Sequence, residues 1–72
     1  MSISLDRWRE IDAVCGDRIR TVLSGHKTNA QKFMAVKGSE IAQIADDCDI
    51  SVANIQDFAW AEIAKGQPAQ AG

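Results

Sequence analysis

Apolar residues recur at helical spacing along most of the chain, and no stretch alternates apolar and polar side chains as a half-buried strand would. Leu5, Trp8, Ile11, Cys15, Ile19 and Val22 form one continuous stripe, flanked by Val14 and Leu23. The stripe predicts a long amphipathic helix, with Ser4 as its N-cap, Asp6 in its electropositive first turn, and a stop at Ser24 and Gly25. Gly16 interrupts this helix at a cost of about 1 kcal/mol against Ala, and leaves room for close packing or a slight bend. Thr28 with Gln31 fits a capping box that opens a short helix. In that helix Ala30, Phe33, Met34 and Val36 are expected inward and Lys32 and Lys37 outward. Gly38 should end it, and Ser39 should cap the next.

Residues 39–59 hold the sharpest pattern. Ile41, Ile44, Ala45 and Cys48 mark a single helical face. Asp49 breaks it, Ile50 is apolar again, and Ser51 can cap a last helix from Val52 to about Ala64, with Ile55, Phe58, Ala59 and Ile63 on one side. Asn54, Gln56, Asp57, Trp60 and Ala61 fall on or toward the other side. Lys65 and Gly66 close it with a cation at the negative end. Residues 67–72 offer no apolar anchor and are expected to form a disordered tail. The fold class expected is therefore all-α. One domain over residues 1–66 combines a long N-terminal helix with a tri-helical core.

The spacing of Ala45, Asp49, Ile50, Ser51 and Ile55 resembles the helix-turn-helix of DNA-binding regulators, Cro- and repressor-like proteins of phages and plasmids. That family wants a small residue where Ala45 stands, a left-handed residue at Asp49, a buried turn residue at Ile50, a cap at Ser51 and a buried aliphatic residue at Ile55. Asp49 departs from the usual Gly at its position, although Asp enters the left-handed region more readily than most residues. The resemblance implies that Ser51, Ala53, Asn54 and Gln56 face base edges in the major groove. It also implies that Lys27, Lys32, Lys37 and the amides after Ser39 hold phosphates. The partner would be an operator in double-stranded DNA, bound by a homodimer without any cofactor, for transcriptional repression.

Charge changes this picture. The formal net charge is −2 and the isoelectric point about 5.1, not the basic footprint of a typical nucleic-acid binder. Arg18, Arg20, Lys27, Lys32 and Lys37 share a stretch without acids, whereas Glu40, Asp46, Asp47, Asp49, Asp57 and Glu62 later oppose only Lys65. The alternative function is thus a protein-protein interaction module of helix-turn-helix shape, such as a phage-encoded inhibitor of host machinery of the anti-CRISPR type. It would use Asp46, Asp47, Trp8 and Trp60 against a host protein with a basic surface.

Candidate chemistry adds little. His26 sits alone in a polar loop, and Cys15 and Cys48 lie on apolar helix faces, where buried reduced thiols are expected. No paired acid and base, zinc-ligand spacing or phosphate-cradling loop points to an enzyme, a metal or a cofactor. No apolar run reaches membrane-spanning length and residues 1–4 do not open a signal peptide, so a cytoplasmic protein without a membrane partner is expected. At 72 residues a single core is marginal, which favours a dimer.

Overall fold

The computed structural model describes residues 3–66. All regular structure among them is helical: α1 (Leu5–Ile11), a π turn (Asp12–Gly16), α2 (Asp17–Ser24), α3 (Asn29–Val36), α4 (Ser39–Cys48) and α5 (Val52–Gly66). The first three run on as one continuous rod of about 20 residues, so the expected long helix and three shorter ones are present. The expected tail at 67–72 lies outside the described residues.

The caps follow local chemistry. Ser4 Oγ accepts from the Arg7 amide, and the Thr28–Gln31 capping box is complete on both sides. Gly25 closes α2 with φ −72°, a conformation open to any residue, so its missing side chain is not what stops the helix. One cap is corrected. The N-cap of α4 is Gly38 and not Ser39, which is already the first helical residue, and no side chain closes this end.

The rod buries Ile11, Cys15, Ile19 and Leu23, a strict four-residue repeat. In an ordinary α-helix such a repeat drifts by about 40° around the axis at each step. The wider π turn absorbs part of that drift and keeps the column facing inward. As a result Leu23 rather than Val22 completes the core, while Leu5 is largely exposed. Gly16 lies inside this turn, where a Cβ would meet the Asp12 carboxylate. Asp12, Asp17 and Glu62 converge on Arg20, which also stands 5.8 Å from the centre of the Phe58 ring.

Val36, Ile41, Ile44, Ala45, Ile55, Phe58, Ala59 and Ile63 complete the core. The α3 face is a second correction. Ala30, Phe33 and Met34 are exposed, Met34 by 77%, and the helix instead turns Lys32, Ala35 and Val36 inward. The Lys32 ammonium donates to the carbonyls of Leu23 (2.8 Å), at the end of α2, and His26 (2.6 Å), in the loop that follows. That tether fixes the rotation of α3. Replacing Lys32 by Met keeps the aliphatic stem but leaves both carbonyls without their cation. A loss of about 1–3 kcal/mol is expected in urea unfolding followed by circular dichroism.

Candidate functional site

The turn between α4 and α5 is built from its own backbone bonds. Asp49 takes φ 56° and ψ 41°, the only non-glycine positive φ among the described residues. The Ile50 amide then reaches back to the Ala45 carbonyl at 3.1 Å, and the Asp49 amide to Asp46 at 3.3 Å. This is the left-handed closure by which many helices end. Ile50 tucks partly against the core, and Ser51 Oγ accepts from the Asn54 amide at 3.3 Å to start α5. The sequence expectation for Ala45, Asp49, Ile50, Ser51 and Ile55 agrees with this local geometry, since Ala45 and Ile55 are both buried.

The residues expected to read bases differ in exposure. Ser51 and Ala53 are exposed, whereas Asn54 and Gln56 are half-buried. Their surroundings are acidic. Asp46, Asp49, Ser51 and Val52 line a shallow depression of about 360 Å³ at the turn, and Asp57 follows on α5. Among the four groups expected to hold phosphate, Lys32 is engaged with carbonyls, as described above. Ser39 is exposed at an end whose neighbour is Glu40, and Lys27 and Lys37 are exposed on either side of α3.

Other cations of the basic segment are also engaged within the fold. Arg18 pairs with Asp47 at 3.1 Å, and Arg20 joins Asp12, Asp17 and Glu62. Hydrogen bonding from Gln43 and then from Arg18 holds the Asp47 carboxyl below the usual carboxylate range. Asp46 and Asp47, expected to act together, therefore differ: Asp46 makes no ion pair among the described residues, and Asp47 is part of a clasp between α4 and α2.

The structure does bring the two tryptophans together. Trp8 stacks on Phe58 with ring centres 5.2 Å apart and planes at 25°. Beside it, Ile3, Leu5, Trp8, Trp60, Ala61 and Ala64 line a groove of about 600 Å³ rimmed by Asp57 and Lys65. The Lys65 ammonium stands 5.0 Å from the centre of the Trp8 ring, within cation–π range. Trp60 also borders a second depression with Phe33, Met34 and Lys37. The outward face of α3 and the groove thus meet at Trp60. Sequence reasoning missed Leu5, Phe33 and Met34 here because it placed all three in the core.

Cys15 and Cys48 are neighbouring free thiols, Cys15 buried and Cys48 half-buried. Burial, and after it the neighbouring Cys48 thiol, push the Cys15 thiol up to about 11, with Arg18 acting weakly the other way. Among the described residues no group of three His, Cys, Asp or Glu side chains could hold a metal ion, and no helix is long and apolar enough to cross a membrane. No family model, curated protein or solved structure matches the chain.

The raised thiol has a stability consequence of definite sign. An unfolded Cys15 ionises near its ordinary value of 9.0 while the folded one keeps its proton to about 11. The unfolded chain therefore binds fewer protons between these values, and stability present below pH 9 is lost as pH rises toward 11. Urea midpoints of the wild-type chain should fall over this window, and those of Cys15→Ala should fall markedly less.

Proposed function

We propose that the chain is a small interaction module that binds a protein with a basic surface through the acidic end formed by the α4–α5 turn. The observation that carries this reading is the way the fold distributes its charge. Arg18, Arg20 and Lys32 are engaged within the fold, while Asp46 and Asp49 at the turn are exposed and have no ion pair among the described residues. Duplex DNA draws much of its affinity for proteins from phosphate neutralisation, and this end offers the wrong sign. A cationic protein surface, including one that itself binds nucleic acid, is attracted to it and is steered in by the same field. Inhibitors and adaptors that occupy a partner's nucleic-acid site work in this way.

A second reading is a dimeric operator-binding regulator. It is favoured by one observation, the left-handed Asp49 between a buried Ala45 and a buried Ile55, which matches the helix-turn-helix spacing. In that case Ser51, Ala53, Asn54 and Gln56 contact bases and Lys27 and Lys37 contact phosphates.

Two measurements separate the readings. A fluorescent arginine-rich peptide should bind the full chain with an affinity that falls with salt. Asp46→Asn/Asp49→Asn should weaken it at least about fivefold, and the equally neutralising Asp6→Asn/Glu10→Gln should not. Asn suits the Asp49 position because it tolerates the left-handed conformation. Equal effects of the two pairs would sink the protein-binding reading. Selection from a random duplex DNA library at low salt should enrich nothing. Enrichment of a two-fold symmetric site, lost in Asn54→Ala/Gln56→Ala, would establish the regulator instead.

A further inference from the structure

We infer that the Trp8–Trp60 groove is the seat of a second copy of this chain, packed about a two-fold axis that passes beside Ala61. The outer face of α5 presents Asp57, Trp60, Ala61, Ala64 and Lys65 at the i, i+3, i+4, i+7 and i+8 positions of one helical stripe, and all five line the groove. A two-fold interface must be complementary to itself, because each residue i that meets j is matched by j meeting i. This stripe satisfies that condition. Ala61 lies midway between Asp57 and Lys65 in sequence. When two α5 helices cross antiparallel at Ala61, Asp57 of one copy therefore meets Lys65 of the other at both ends. The crossing point carries a small side chain, which lets the two backbones approach closely.

The rest of the groove suits the same occupant. Trp8 flanks the stripe beside Trp60, and Leu5, 61% exposed in the single chain, extends the apolar surface. Tryptophan, with its large apolar face and polar edge, is enriched where interfaces close. Sequence argues against the chain's own C-terminal residues 67–72 as the occupant, since Gln-Pro-Ala-Gln-Ala-Gly has no large apolar side chain with which to fill an aromatic groove. The dimer uses a different set of residues from the acidic turn, so it stands or falls separately from the ligand assigned to Asp46 and Asp49.

Sedimentation equilibrium of the full chain tests this. A dimer should be present below about 1 mM, and Ala61→Arg should raise its dissociation constant at least tenfold, to about monomer behaviour, with helicity unchanged by circular dichroism. Asp57→Lys and Lys65→Asp should each weaken the dimer by about fivefold or more through like-charge contact, and the double exchange should restore it. Since Lys65 also stands over Trp8, restoration by the double exchange is the outcome a merely local role of that lysine would not give. A monomer at about 1 mM would overturn the proposal. So would a dimer indifferent to Ala61→Arg, or single exchanges that the double exchange fails to rescue.

Discussion

The burial of Phe58 against the N-terminal rod is the constraint on which the other features depend. Phe58 is fully buried, stacked on Trp8 and lying within reach of the Arg20 guanidinium. Its burial sets how α5 sits on the rod. Once it is in place, Trp8 comes beside the outer face of α5, and Glu62, one turn after Phe58, comes within 3.1 Å of Arg20. The Glu62 side chain is only 9% exposed, so the guanidinium compensates a carboxylate that would be costly to bury alone. Its second oxygen has no hydrogen-bond partner, with the Lys65 ammonium 3.6 Å away. The π turn belongs to the same arrangement. It keeps Ile11, Cys15 and Ile19 on the face turned to the core and places Asp12 beside Arg20.

Internal pairing of charge also shapes what remains for a ligand. Of the five cations in the stretch that reads as basic along the chain, Arg18 and Arg20 are paired with acids in the fold and Lys32 is held by carbonyls, while Lys27 and Lys37 stay exposed. Arg18 reaches α4, Arg20 reaches α5, and Lys32 reaches back to the end of α2. Exposed pairs such as Arg18–Asp47 add little stability, because water and salt screen them. Their larger effect is on the outer field. They tie Arg18 and Arg20 to acids of the fold, while Asp46 and Asp49 have no ion pair among the described residues.

Much of this fold was legible in the residues, for reasons that can be located. The faces of α4 and α5 are clean because no large apolar residue stands between Ile41 and Ile44 or between Ile55 and Phe58, and only one helical register buries them. The Thr28–Gln31 box and the Ser4 and Ser51 caps involve contacts three residues apart, within reach of a local pattern. The face of α3 was not legible. Phe33-Met34-Ala35-Val36 is apolar without interruption, so periodicity cannot choose a rotation, and the deciding tether from Lys32 is a tertiary contact. The π turn was hidden because the stripe from Leu5 to Val22 mixes steps of three and four. For the candidate site, the turn residues were legible one by one, but not the surface they form. Trp8 and Trp60 could each be suspected of an interface, yet only the fold puts residues so distant in sequence on one groove.

Helix α5 shows how one short element can carry separable roles. Ile55, Phe58, Ala59 and Ile63 turn to the core, while Asp57, Trp60, Ala61, Ala64 and Lys65 lie on the opposite side. At about 100° per residue these two sets occupy opposed arcs of the same helix. The N-terminal end of α5 belongs to a third region, the acidic turn, fixed by Asp49 and Ser51 rather than by packing of the later residues. Changes at Ala61 or Lys65 can therefore alter association without removing a core side chain. Changes at Asp46 alter the field of the turn without touching either set. Phe58 is the exception. It supports the groove wall from beneath through Trp8, so its loss would disturb folding and association together, and no binding experiment on a Phe58 variant could assign the two effects.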